Sequence, residues 1–167
     1  DSLYLTDRMG LEAVRFIKEH SDTRFFLYLP FYTVHTPFEG RPDLVEKYRQ
    51  VIEMNTSDSI IRNPDFLAMI ESLDQNVGKV LKTLEEEGLR EKTLVIFLSD
   101  NGGLDAGEGN RIWGSWNYPL RSGKGSLYEG GIRIPAIINW PGVVPGGMIS
   151  DELIISSDIF PTLMELL

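Results

Sequence analysis

The stretch Thr93-Leu94-Val95-Ile96-Phe97-Leu98 runs directly into Ser99-Asp100-Asn101-Gly102-Gly103. The apolar run predicts a buried strand, and open α/β sheets bind ligands at the carboxyl ends of their strands. The two glycines let the backbone turn sharply there and let a ligand approach closely. The end of this strand is therefore the first place where the sequence indicates a binding site.

Asp100 and Asn101 supply the candidate ligands at this strand end. Both side chains offer oxygen atoms, which suit Ca²⁺ or Mg²⁺, whereas zinc and copper sites usually recruit imidazole or thiolate. The same two residues also suit an Asx turn, in which the side chains bond only the neighbouring backbone. The local pattern leaves a cation site and a turn as alternatives.

Helical and apolar segments alternate along the rest of the chain. The predicted helices run from Thr6 or Asp7 to about His20, from Pro42 to Val51, from Asn63-Pro64 to Gly88, and onward from Ser156 or Ser157. The predicted strands are Arg24 to Pro30, Thr93 to Leu98, Ile134 to Trp140 and the short pair Ile154-Ile155. The segment from Arg24 to Leu98 then forms a βαβ crossover, so the fold class is α/β with helices on both faces of the sheet.

Composition limits the classes of function. The 167 residues, 42% of them hydrophobic, suffice for one sizeable core and one domain. A net charge of −9 argues against a nucleic-acid partner, although a few cations focused in a cleft still bind small anions. The absence of cysteine excludes disulfides, thiolate metal sites and a cysteine nucleophile within these residues. No apolar stretch approaches the roughly 20 residues of a membrane span.

Two further loops carry groups that suit an anion. His35 follows the predicted strand Arg24 to Pro30, where an imidazole donates a proton or a hydrogen bond near neutral pH. Lys124 lies between Gly123 and Gly125, whose small size lets the ammonium approach an oxyanion. The alternatives are a loop histidine satisfied by backbone groups and a solvated surface lysine. A phosphate-binding P-loop is rejected, because the upstream glycine spacing is missing.

A long glycine-rich loop between Asp100 and Tyr128 contains Trp113, Trp116 and Tyr118. Loops of this length are usually functional or disordered. The three rings suit stacking on sugar rings, and they equally suit covering the core.

Taken together, the motifs closely resemble those of the sulfatase family, of the formylglycine-dependent arylsulfatase type within the alkaline-phosphatase-like superfamily. The glycine-rich stretch is highly specific, and the resemblance extends over essentially the whole chain. The matching stretches are Thr6-Asp7-Arg8, Phe25 to Pro30 with His35-Thr36-Pro37, Leu73 to Gly78, Ser99 to Gly103, Leu120 to Pro135, Trp140-Pro141-Gly142 and Ser157 to Thr162.

By this resemblance, Asp100 and Asn101 are ligands of Ca²⁺, with Mg²⁺ less suitable, and His35 and Lys124 are catalytic and substrate-binding residues at the sulfate and the bridging oxygen. The resemblance implies a sulfuric ester hydrolase that cleaves sulfate monoesters of a sulfated carbohydrate or an aryl alcohol. It also implies export to the periplasm, the cell exterior or a lysosome.

Several elements of the family pattern are not found in these 167 residues. They are the Cys/Ser-x-Pro-x-Arg motif whose first residue becomes formylglycine, the upstream aspartate pair, and an upstream lysine and histidine. We therefore expect residues 1–167 to be a partial catalytic domain, with the nucleophile upstream and a smaller C-terminal subdomain downstream. Alone it is expected to be inactive, to bind calcium poorly and to self-associate through exposed sheet edges.

Two alternative functions remain open. One is a metal-dependent phosphoesterase of the same superfamily, although those enzymes usually place histidine beside the strand-end aspartate, where this chain has Asn101. The other is a non-catalytic relative that binds sulfated glycans and has lost its nucleophile.

Overall fold

The computed structural model describes residues 3–55, 61–105 and 115–166. Trp113, one of the three candidate sugar-stacking residues, lies outside the described residues. In chain order the elements are α1 (Leu5–Glu19), α2 (Pro42–Met54), α3 (Pro64–Glu86), a 3₁₀ turn (Arg90–Lys92), β1 (Val95–Leu98), α4 (Glu129–Ile132), β2 (Ala136–Asn139), a second 3₁₀ turn (Ser156–Asp158) and α5 (Ile159–Leu166).

The core is built where α1 and α2 pack against α3. Helix α3 begins as its sequence predicts, because the Asn63 side chain accepts a hydrogen bond from the Phe66 amide at 2.9 Å and Pro64 takes the first helical position. Helix α1 needs a glycine where it crosses α3, since a Cβ at Gly10 would collide with the Asn76 side chain. The buried apolar side chains are Ala13, Ile17, Leu44, Val45, Phe66, Ala68, Met69 and Leu84.

A buried polar network joins these helices. The Asp7 carboxylate accepts hydrogen bonds from Asn76 Nδ2 at 2.7 Å and from Arg41 Nη1 at 3.2 Å. Asn76 is fully buried and also donates to the Ser72 carbonyl oxygen at 2.7 Å. Because Asp7, Arg41 and Asn76 come from α1, from the residue before α2 and from α3, the network fixes how the helices meet.

Asp7→Ala is expected to lower the free energy of unfolding by about 2 kcal/mol, because it removes the buried carboxylate that accepts hydrogen bonds from both the Asn76 amide and the Arg41 guanidinium. The matched control is Asp43→Ala. Asp43 binds the same guanidinium at 2.7 Å, but its side chain is 62% exposed against 10% for Asp7. Solvent screens an exposed pair, so the control should be nearly neutral. Urea denaturation of the two variants measures the difference, and equal losses would refute a structural role for the network.

Strands β1 and β2 form an antiparallel pair in which Val95 lies opposite Asn139 and Leu98 opposite Ala136. The predicted strands Thr93 to Leu98 and Ile134 to Trp140 are therefore confirmed with shorter bounds. Among the described residues, none of the helices combines the length and apolar character that a membrane crossing requires.

The predicted strand from Arg24 to Pro30 is wrong for this structure, and with it the βαβ crossover to Leu98. Its side chains alternate between half-buried and exposed, and the ring of Phe25 packs edge-on against Phe16 of α1 at 5.8 Å. No strand among the described residues pairs with the segment. A strand needs a hydrogen-bonded neighbour, which hydrophobicity alone does not supply. The short strand predicted at Ile154-Ile155 is absent from the described structure for the same reason.

Candidate active site

Two loops and a short helix pack together beyond the carboxyl end of β1. The loop after β1 bonds the other two parts, since the Gly102 amide donates to the Gly131 carbonyl and the Lys124 amide donates to the Gly103 carbonyl, both at 2.9 Å. Helix α4 is held in turn by the Gly130 amide, which donates to the Arg121 carbonyl at 2.9 Å. These bonds bring the loop of Asp100 and Asn101 against the loop of Lys124.

Glycine is required in this cluster because backbones touch each other. A Cβ at Gly102 would collide with the carbonyl oxygen of Gly130, and a Cβ at Gly130 would collide with that of Ser122. The turn around Lys124 also uses left-handed backbone, with φ of 63° at Ser122 and 90° at Gly125. The two loops can therefore pack together only because glycine occupies these contact positions.

Asn117 fastens the same two loops through its side chain. Its Nδ2 donates to the Gly103 carbonyl at 2.9 Å and lies 3.2 Å from the Ser122 carbonyl. Sequence reasoning missed this residue, because nothing in its local pattern shows that a carboxamide will find carbonyl groups on two other turns. Sequence reasoning also missed α4, whose two central glycines are poor helix formers.

The Asp100 side chain is exposed and the Asn101 side chain is half-buried. The turn that carries them is bonded by the Ser99 hydroxyl, which donates to the Asn101 carbonyl oxygen at 3.0 Å. Within residues 3–55, 61–105 and 115–166, neither the Asp100 carboxylate nor the Asn101 carboxamide makes a hydrogen bond. The two side chains therefore do not form the Asx turn that the sequence also allowed, and their oxygen atoms are not used by the backbone, while the cation site stays a prediction.

The two oxygen donors fit calcium chemically but supply only part of its coordination. Calcium takes 6–8 oxygen ligands at about 2.3–2.6 Å. Among the described residues, no group of three or more His, Cys, Asp or Glu side chains is placed to hold a metal ion. Asp100 and Asn101 are thus at most two ligands of a larger site.

Lys124 is exposed on the adjoining loop, and its ammonium makes no ion pair with any residue that the structure describes. The neighbouring arginines are engaged. The Arg121 guanidinium lies 3.6 Å from the centre of the Tyr128 ring, and Arg133 Nη1 lies 3.1 Å from a Glu129 carboxylate oxygen. Lys124 is therefore the better placed of these cations to bind an anion.

His35 lies in a loop that is anchored to the helices. The Thr33 hydroxyl lies 3.1 Å from that of Thr6, and the Tyr4 hydroxyl donates to the Glu39 carbonyl at 3.0 Å. Burial raises the pKa of Tyr4 above its ordinary value, so this donor keeps its proton. Helix α1 therefore holds the loop. Helix α3 holds it as well, because the Asp65 carboxylate accepts a hydrogen bond from the Gly40 amide at 3.0 Å.

The ring of His35 is exposed and has one nitrogen engaged. Its Nδ1 lies 2.7 Å from the Thr36 carbonyl oxygen. A carbonyl only accepts, so Nδ1 carries the hydrogen, and Nε2 is left to act as an acceptor in the neutral ring or a donor in the charged ring. The backbone therefore satisfies one nitrogen and orients the other.

The four predicted site residues are only partly brought together. Asp100, Asn101 and Lys124 lie on loops that are hydrogen-bonded to each other. In the described part of the chain, no hydrogen bond or ion pair joins His35 to any of these three residues. That His35 shares one site with them stays a prediction.

The amino-acid sequence of this chain is similar to those of known proteins. The sulfatase family model matches residues 2–167. A sulfatase of Formosa agariphila is 39% identical over 98% of this chain, and human arylsulfatase D is 35% identical over 93%. The chain spans 30% and 24% of the lengths of these two relatives.

The fold of this chain is also similar to those of solved structures. The PsFucS1 sulfatase from Pseudoalteromonas sp. superposes with a TM-score of 0.78 at 31% identity, covering 97% of this chain and 30% of that one. Ps i-CgsB, solved in complex with k-i-k-neocarrahexaose, gives a TM-score of 0.73 at 32% identity, covering 88% and 30%. The predicted alkaline-phosphatase-like fold class is confirmed, and the chain contains part of a domain with this fold.

Proposed function

Because this chain belongs to the sulfatase family, we propose that it is part of the catalytic domain of a sulfuric ester hydrolase. The reaction is the cleavage of a sulfate monoester by water to an alcohol and hydrogen sulfate. The observation that supports this most directly is the hydrogen-bonded pair of loops that carries Asp100 and Asn101 on one side and Lys124 on the other.

The proposed cation is Ca²⁺, with Mg²⁺ less suitable because it demands near-ideal octahedral geometry and gives up its waters reluctantly. Asp100 would bind it through the carboxylate and Asn101 through the carboxamide oxygen. A bound calcium ion supplies positive charge to the sulfate oxygens. The remaining ligands and the formylglycine are proposed to lie outside these 167 residues.

The proposed roles of Lys124 and His35 follow from their chemistry. The Lys124 ammonium binds a sulfate oxygen or the bridging oxygen, where negative charge develops as the ester bond breaks. His35, with Nδ1 held by the Thr36 carbonyl, presents Nε2. In the protonated ring this nitrogen donates its proton to the departing oxygen, which would otherwise leave as an alkoxide or phenoxide.

We propose a sulfated carbohydrate or an aryl sulfate as the substrate class. The related Ps i-CgsB structure contains a neocarrahexaose, which supports the carbohydrate side of this proposal. Export to the periplasm, the cell exterior or a lysosome is proposed from family membership alone.

Lys124→Ala in the full-length protein is expected to lower kcat/KM for 4-nitrophenyl sulfate by about 100-fold, because a fixed positive charge at the reacting oxygens is lost. Lys18→Ala, which removes an exposed lysine on α1, is the control and should leave the rate near wild type. The corresponding phosphate ester separates the alternatives. Faster hydrolysis of phosphate than sulfate would favour a phosphoesterase, and binding of sulfated glycans without any hydrolysis would favour a non-catalytic relative.

This chain by itself is proposed to be inactive and to self-associate. Phe97 of β1 and Ile137 of β2 are exposed, and in the described structure each of these strands has one unpaired edge. Sedimentation of the isolated 167-residue chain as a stable monomer would count against self-association.

A further inference from the structure

Two aromatic rings lie stacked on the surface beside the candidate active site. The ring centres of Trp116 and Tyr118 are 5.1 Å apart and their planes are inclined by 23°. Trp116 is 45% exposed and Tyr118 is 72% exposed. In the described structure both rings therefore lie outside the buried core, and this exposure favours the stacking role of the two that the sequence left open.

The aromatic pair is fixed to both loops of the site by the residue between its members. Asn117 contacts the carbonyl of Gly103, which follows Asn101 by two residues, and that of Ser122, which precedes Lys124 by two residues. The Ser115 hydroxyl adds a hydrogen bond to the Leu104 carbonyl oxygen. The two rings are therefore held in a defined position relative to the cation ligands and the lysine.

We propose that Trp116 and Tyr118 form a platform on which a sugar ring of a sulfated saccharide stacks, so that sulfated carbohydrate, rather than a small aryl sulfate, is the substrate class. This inference rests on the proposed sulfatase function. One face of a pyranose carries mainly C–H groups, which pack against the electron-rich face of an indole or phenol ring. The hydroxyl groups at the sugar's edge remain in water.

The shape of the platform favours a saccharide over an aryl ester. An aryl sulfate has a single ring system attached to the ester oxygen, whereas a saccharide continues from its sulfated unit into neighbouring rings. A pair of stacked rings on residues 115–119, bonded to the catalytic loops but separate in sequence from Asp100 and Lys124, suits a ligand that extends beyond the sulfate.

The test is substrate selectivity in the full-length protein. The kcat/KM for 4-nitrophenyl sulfate is compared with that for the best substrate among sulfated oligosaccharides of carrageenan, fucan and chondroitin. For Tyr118→Ala and for Trp116→Ala, the ratio of saccharide to aryl kcat/KM should fall about tenfold. Tyr118→Phe keeps the ring and should preserve the wild-type ratio. Tyr28→Ala removes an exposed tyrosine elsewhere and serves as the matched control.

The outcomes separate the platform from the proposed function. Ratios that do not change in the two alanine variants overturn the platform, as does a wild-type protein that hydrolyses 4-nitrophenyl sulfate but none of the oligosaccharides. A wild-type protein that hydrolyses no sulfate ester at all overturns the sulfatase proposal itself. Because the readout is a ratio, an alanine variant that is partly unfolded still reports on stacking.

Discussion

Asp100→Ala in the full-length protein is expected to lower kcat/KM for 4-nitrophenyl sulfate by about 10²–10³-fold, since the proposed charged ligand of the cation at the end of β1 is lost. The Asp100 carboxylate makes no hydrogen bond to any residue in the described structure, so its removal should leave the fold intact. The loss should therefore appear in activity and in calcium affinity but not in the urea midpoint measured without calcium. Asn101→Ala, which removes the proposed neutral oxygen ligand, should have a smaller effect in the same direction.

Calcium titration distinguishes a ligand from a residue that merely shapes the loop. If Asp100 binds the cation, the variant needs a higher calcium concentration for half-maximal activity, and chelation with EDTA abolishes the wild-type activity. Asp22→Ala, an exposed carboxylate in the turn after α1, should change neither property. An Asp100→Ala protein with wild-type activity and calcium dependence would rule out the proposed metal site.

The helices were predictable because their signals are local. The Asn63 cap, the proline after it and the apolar stripe of α3 lie within one segment, and the structure places the helix there. Helix α1 differs in one respect, because its local pattern marks Asp7 only as a residue at the start of the helix. It is instead buried against Asn76, a contact over 69 residues that no local pattern contains. The segment from Arg24 to Pro30 failed as a strand because pairing depends on a neighbour.

In the candidate site, as in the fold, the features with local signals were predictable and those that depend on long-range packing were not. Asp100, Asn101 and Lys124 were identified because their residue types follow a strand or lie between glycines, which is local information. The hydrogen bond from the Lys124 amide to Gly103 and the two contacts of Asn117 depend on three-dimensional packing. His35 was found by its residue type and its loop, and its relation to the other three residues remains a prediction.

Gly102→Ala is expected to lower the free energy of unfolding by about 3 kcal/mol, because the new Cβ collides with the backbone carbonyl of Gly130 and no flexible side chain can move away. The collision would push the loop of Asp100 away from α4 and from Lys124, so activity of the full-length protein should also fall by at least about tenfold. Gly78→Ala is the matched control with the opposite sign. Gly78 lies within α3 with no atom near its added Cβ, so alanine there should raise stability by about 0.5–1 kcal/mol.

Urea denaturation of the two variants tests whether the loops touch as described. A loss for Gly102→Ala beside a gain for Gly78→Ala means that backbone contact, and not a general intolerance of alanine, determines the glycine at the end of β1. If Gly102→Ala were as stable and as active as the wild type, the contact between the loop after β1 and α4 would be wrong. The proposed meeting of Asp100, Asn101 and Lys124 at one sulfate would then lose its structural basis, because the Gly102–Gly131 hydrogen bond is one of the bonds that hold these loops together.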